Sequence, residues 1–170
     1  MVLRSHLFFY TLIILLLFAL PMVSAADSDS LAPMINFTSG KVAVLDDQGK
    51  PDRHGVEIRF RPFGRRGFIP AIGYAFADNG ASFVYTDVRR DYHLYESWFL
   101  SPSIGLGTFS KGKNFDLGKS LEFRSGIEMA YHRRDHIRLG VAFFHLSNAG
   151  LSEINPGTEA LVFSLSLPVE

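Results

Sequence analysis

The chain has no cysteine among its 170 residues, so it can form neither a disulfide nor a thiolate site. It has no net charge: Lys plus Arg number 17 and Asp plus Glu number 17, and no summed field draws it to nucleic acid. Beyond residue 25 no apolar run reaches the ~20 residues a membrane helix needs. Any membrane residence of that part must therefore be as a closed barrel, because in lipid only helices and closed barrels satisfy every backbone polar group. Closure would also stabilise a chain that has no covalent staples.

The first stretch carries a different pattern. Arg4 gives a positive start, Leu7 to Leu20 is almost wholly apolar, and Val23-Ser24-Ala25 supplies small residues. This is the three-part pattern of a secretory signal, and the apolar core is short for a spanning anchor. The expectation is a signal peptide over 1–25, cleaved after Ala25, and one domain over 26–170.

Past a polar lead-in from Ala26 to Ser39, the dominant pattern is alternation, the period of a strand with two unlike faces. Val56, Ile58 and Phe60 oppose Glu57, Arg59 and Arg61. Phe68, Pro70, Ile72, Tyr74 and Phe76 oppose Ala71, Gly73, Ala75 and Ala77. Trp98, Leu100, Pro102, Ile104 and Leu106 oppose serines and glycines, including Gly105 and Gly107. Leu121, Phe123, Ile127, Met129 and Tyr131 oppose Glu122, Arg124, Gly126, Glu128 and Ala130. One face is large and apolar, the other small, polar or charged. A soluble barrel with a wet exterior would alternate in the same way. The export signal and the aromatic weight of the apolar face favour a membrane barrel, with apolar groups to lipid and polar ones to the lumen.

The expected strands are 40–46, 54–62, 67–77, 80–89, 92–109, 120–131, 136–147 and 159–168. The fold class is thus all-β, an eight-stranded antiparallel transmembrane β-barrel of the outer membrane, the smallest usual size. Connections fall at 46–53, 63–66, 78–79, 90–91, 110–119, 132–135 and 148–158. With both termini periplasmic, 46–53, 110–119 and 148–158 are extracellular.

Chemistry concentrates in Phe143-Phe144-His145-Leu146-Ser147-Asn148-Ala149-Gly150 and Asn155-Pro156-Gly157-Thr158-Glu159. His145 and Ser147 continue the apolar face of Leu139, Val141 and Phe143, and Glu159 is in phase with Leu161, Phe163, Leu165 and Leu167. All three project outward at one rim, on strands joined by one loop. A serine is a weak nucleophile until a base takes its proton. A histidine can take it, and a carboxylate can fix the histidine tautomer. Asn148, Asn155 and loop amides are nearby donors for an oxyanion. The plainer reading is a turn built from Asn-Ala-Gly and Asn-Pro-Gly, with polar groups marking the membrane interface.

His-x-Ser-Asn-Ala-Gly, then Asn-Pro-Gly-x-Glu, then a closing amphipathic strand, resembles the signature of the lipid A 3-O-deacylases (PagL-type). Leu121 to Glu128 resembles the same family. The resemblance is specific from about Leu121 to Pro168, loose from Trp98 to Ser110 and weak before that. It implies an outer-membrane esterase that removes the 3-O-linked 3-hydroxyacyl chain of lipid A. It maps the nucleophile to Ser147, the base to His145, the orienting carboxylate to Glu159 and the oxyanion asparagine to Asn155, with Asn148 as a helper. No cofactor and no metal are implied. The expected partners are lipid A or lipopolysaccharide and outer-membrane lipids, with a homodimer left open. The C-terminus departs from the usual pattern: many such barrels end in an aromatic residue, whereas this chain ends Leu167-Pro168-Val169-Glu170.

Other residues carry less. His132 and His136 flank a short turn with no further ligand beside them. Glu57, Arg59, Arg61, Glu122, Arg124, Glu128 and Arg138 share lumen parity and are expected to pair there and plug the barrel. Lys111, Lys113 and Lys119 stand in an outer loop, where a solvated role is preferred to contact with lipid A phosphates. Two rival functions remain open at this stage: a non-enzymatic small barrel, and a phospholipase or esterase of the outer membrane.

Overall fold

A computed structural model describes residues 13–15, 32–45 and 49–169. Apart from 13–15, the expected signal peptide and its cleavage site lie outside the described residues. The described strands are β1 (Met34–Val42), β2 (Asp52–Arg59), β3 (Phe68–Ala77), β4 (Ser82–Arg90), β5 (Tyr92–Tyr95), β6 (Trp98–Ser110), β7 (Leu121–His132), β8 (Arg138–Ser147) and β9 (Thr158–Pro168). All pairings are antiparallel. The order β4-β3-β2-β1-β9-β8-β7-β6-β5 closes through a β4–β6 pairing. Eight strands make the ring. β5 continues the line of β4: Arg89 faces Ser103 and Tyr92 faces Leu100 on β6, with no change of register between them.

Two expectations need correction. The first strand is Met34–Val42, not 40–46, so the end of the polar lead-in, Met34 to Ser39, is strand. Its polar residues mislead because Asn36 and Thr38 face a polar lumen: Asn36 accepts from the Ser166 hydroxyl at 3.0 Å, and the Arg53 guanidinium donates to Thr38 at 3.3 Å. The segment 92–109 is not one strand with a turn before it at 90–91. The chain runs straight through Asp91 and turns at Glu96-Ser97, where Glu96 adopts φ 47°. Asp91 stays in line because its carboxylate accepts from Arg138 and from the Ser101 hydroxyl.

The alternation sets which face meets what. Phe37, Ile58, Ile72, Phe76, Val141 and Phe163 are exposed on the outside, whereas Ala71, Ala75, Ala142 and Ala160 are buried inside. Inward glycines make room for large neighbours. A Cβ on Gly126 would stand 2.2 Å from the Phe144 ring, and one on Gly73 would stand 2.4 Å from Tyr85. Arg124 uses the room at Gly126 by stacking 3.7 Å from the centroid of Phe144.

The lumen is filled by a buried ion network. Arg59 bonds Glu128 at 2.6 Å and Glu57 at 2.8 Å. Arg89 bonds Glu57 at 2.7 Å, and Glu128 and Asp87 at 3.2 Å. Arg124 also pairs with Asp87. Tyr85 donates to Glu57 at 2.9 Å and Ser164 donates to Glu128 at 2.5 Å. Arg61 does not join them: β2 ends at Arg59, and Arg61 is exposed beyond it. Glu122 is fully buried, yet neither of its carboxylate oxygens has a hydrogen-bond partner among the described residues.

Arg89 holds three carboxylates at once. Breaking a buried pair from one side costs about 3–5 kcal/mol, because the remaining charge stays buried without its partner. Arg89→Ala is therefore expected to lower markedly the temperature at which folded protein loses its heat-modifiable gel migration. A wild-type temperature would mean that water or a neighbouring arginine replaces it fully.

Candidate active site

Met34 pairs with Pro168, so both ends of the barrel wall lie at one rim. The opposite rim carries the described residues 43–45 and 49–51 and the connections 78–81, 111–120 and 148–157. The site lies under the last of these, on the outer face.

The register builds it. Ser125 on β7 faces His145 on β8, and His145 faces Glu159 on β9. One step toward the rim, Phe123 faces Ser147. His145 and Ser147, two residues apart on one strand, share a face. His145 Nδ1 lies 2.9 Å from Glu159 Oε1. With the proton on Nδ1, the ring donates to the carboxylate, and Nε2 presents its lone pair. The structure thus brings together His145 and Glu159 by direct contact, with Ser147 adjoining on the same strand face.

Outward parity had suggested side chains open to lipid, but His145 is 3% exposed and Ser147 fully buried. The 148–157 connection follows directly on Ser147 and folds back toward the 111–120 loop. Asn148 Nδ2 donates to the Leu117 carbonyl at 3.2 Å and to the Ile154 carbonyl at 2.9 Å, while Lys119 donates to the Leu151 carbonyl at 2.8 Å. Gly118 meets this loop so closely that a Cβ there would stand 2.2 Å from the Ile154 oxygen. Burial suits charge development, since electrostatic interactions are stronger away from water.

The two asparagines separate. Asn148 points inward, fully buried, with Nδ2 committed to loop carbonyls and Oδ1 accepting from Gly150 N–H at 3.1 Å. It therefore clamps the loop rather than offering an oxyanion donor. Asn155 Oδ1 accepts from Asn148 N–H at 3.1 Å, which leaves Nδ2 as its donor end. Ala149 N–H lies 3.3 Å from Ser147 Oγ. Ala149 holds φ 54°, a left-handed conformation that costs a non-glycine residue about 1–2 kcal/mol. That turn aims an amide at the serine.

The remaining sequence candidates lie elsewhere. The rings of His132 and His136 are 5.6 Å apart at the opposite rim, and no group of three metal-ligating side chains occurs among the described residues. Lys111 stands 3.7 Å from Asp116, and Lys113 lines an open groove with Lys41 and Lys50. The alternation assigned no role to Ser125. Its signal was there nonetheless: one hydroxyl interrupts the apolar series Leu121, Phe123, Ile127, Met129, Tyr131.

Comparison with known proteins bears on the fold and the family. The family model described as lipid A 3-O-deacylase (PagL) matches residues 30–168. Among solved structures, the outer membrane enzyme PagL superposes with a TM-score of 0.64 at 19% identity, covering 80% of this chain and 99% of that one. A de novo designed transmembrane β-barrel gives 0.59 at 9% identity, covering 81% and 95%. Neisserial surface protein A gives 0.54 at 11% identity, covering 81% and 96%. At these identities the superpositions speak for the fold. No curated protein matches the chain in sequence.

Proposed function

The chain belongs to the lipid A 3-O-deacylase (PagL) family, an outer-membrane β-barrel hydrolase that releases the 3-O-linked acyl chain of lipid A, and we propose that it does so with a Ser147-His145-Glu159 triad. The observation that carries this reading is the 2.9 Å contact between His145 Nδ1 and Glu159 Oε1, with Ser147 next on the same strand face.

Ser147 Oγ attacks the ester carbonyl while His145 Nε2 takes its proton. Glu159 orients the ring and balances the imidazolium. The tetrahedral oxyanion meets the Ala149 N–H and the Asn155 carboxamide. Collapse breaks the bond to the sugar 3-oxygen, which takes the proton back from Nε2. Water, activated by the same imidazole, then hydrolyses the acyl-serine to a free 3-hydroxy fatty acid and restores Ser147. No cofactor enters these steps. The substrate lies in the lipid beside the barrel, so an outward-facing triad meets it without the chain leaving the bilayer. An export signal over 1–25, removed near Ala25, would bring the chain to that membrane.

The test is mass spectrometry of lipid A from cells with and without the protein. Loss of one 3-hydroxyacyl unit from the 3-position is expected only where the protein is made. Unchanged lipid A alongside new free fatty acid and lysophospholipid would identify a phospholipase instead.

A further inference from the structure

Ser125 is a hydroxyl where alternation calls for an apolar group. It stands on the outward face of β7 between Phe123 and Ile127, fully buried, and its Oγ has no hydrogen-bond partner among the described residues. Leaving a buried polar group unpaired costs about 1–3 kcal/mol. An alanine there would avoid that cost.

Its position suggests what the hydroxyl serves. Ser125 faces His145 directly across the β7–β8 pair. Side chains so paired have Cβ atoms about 4.5–5.5 Å apart. On the other flank Glu159 engages Nδ1. Nδ1 and the Cδ2–Nε2 edge lie on opposite sides of an imidazole. With Nδ1 turned to β9, the edge bearing Nε2 therefore faces β7. A change of the serine χ1 rotamer with a tilt of the ring would bring Oγ toward Nε2.

We propose that Ser125 is a positioning residue that accepts a hydrogen bond from His145 Nε2–H when the ring is protonated. The inference rests on the Ser-His-Glu reading. While the ring is neutral, Nε2 has no proton to give and, on the triad reading, its lone pair receives the Ser147 hydroxyl, so Ser125 Oγ stays without a partner among the described residues. Once Nε2 has taken the proton of Ser147, the Ser147 oxygen is bonded to carbon and accepts poorly. Ser125 then supplies the second anchor of the imidazolium, opposite Glu159, until the sugar oxygen takes the proton. Because the bond forms only as charge develops, it favours the transition state over bound substrate, and its loss falls on kcat rather than KM.

The experiment is turnover on lipid A by the full chain in detergent, with kcat and KM measured separately for Ser125→Ala, Ser125→Thr and Ser147→Ala. Folding is checked by heat-modifiable migration. Ser125→Ala is expected to lower kcat about 10- to 100-fold, the worth of a hydrogen bond to a charged group, with KM nearly unchanged. Ser125→Thr, which keeps the hydroxyl, should recover most of the loss. If Ser125→Ala does not fold, Ser125→Cys carries the same expectation, since a thiol fills the site but accepts weakly. Wild-type kcat in the folded alanine variant, a loss confined to KM, or no recovery in folded Ser125→Thr would overturn the inference. Activity surviving in Ser147→Ala would instead overturn the triad reading. An inactive Ser147→Ala beside a fully active Ser125→Ala would leave the triad standing and remove only the role of Ser125.

Discussion

Ser147→Ala is expected to abolish deacylation while the barrel still folds. Ser147 ends β8 on the outer face, and its Oγ receives the Ala149 amide at 3.3 Å. Removing the oxygen removes the nucleophile, while the rest of the site remains to bind lipid. In a serine protease the same change lowers kcat by about 10⁶-fold, and what survives comes from binding and the oxyanion site. Stability should change little, because the hydroxyl lies on the outer face of β8 and not on the face that lines the lumen. The measurement is release of the 3-O-linked acyl chain by folded variant protein, with His145→Ala in parallel. Turnover near wild type in folded Ser147→Ala would rule out serine as the nucleophile.

Glu159→Gln should keep the fold and lower turnover, by up to about 10⁴-fold if the carboxylate acts as it does in serine proteases. Glu159 bonds Nδ1 from across the β8–β9 pair, and its side chain is 19% exposed. Glutamine keeps the shape but not the charge that balances the imidazolium. Its amide can also turn a donor toward Nδ1 and stabilise the wrong tautomer. Partial exposure softens the effect, since water screens part of the lost charge. Glu159→Ala removes geometry as well and should be no better. Full activity in both variants would reduce the machinery to a Ser147-His145 dyad and leave Glu159 as an interface charge.

Much of this molecule is legible in one dimension because a β-strand has period two. The alternation at Phe68 to Ala77 and Leu121 to Tyr131 fixes which residues face lipid and which face the lumen before any pairing is known. The same parity puts His145, Ser147 and Glu159 on one side of adjacent strands. Parity fails where the lumen is polar and the strand short on apolar residues. Met34 to Val42 looks like a lead-in because its inward Asn36 and Thr38 find their partners on β9 and β2, far along the chain. The turn at Glu96-Ser97 is hidden because its left-handed position is held by Glu96, not by the glycine or asparagine that usually marks one.

Local pattern could say which way a side chain points, but not what would cover it or stand beside it. The burial of His145 and Ser147, the inward commitment of Asn148 to the Leu117 and Ile154 carbonyls, and the pairing of Arg59 and Arg89 with Glu57 and Glu128 all depend on contacts between distant segments. Strand register sets those contacts, and closure of the ring sets the register. Alternation along one strand is unchanged if its partner slides by two residues, so it carries no information about which residue lies opposite. That is why the apolar belt and the polar lumen follow from the order of residues alone. The row Ser125, His145, Glu159 exists only once β7, β8 and β9 are locked side by side.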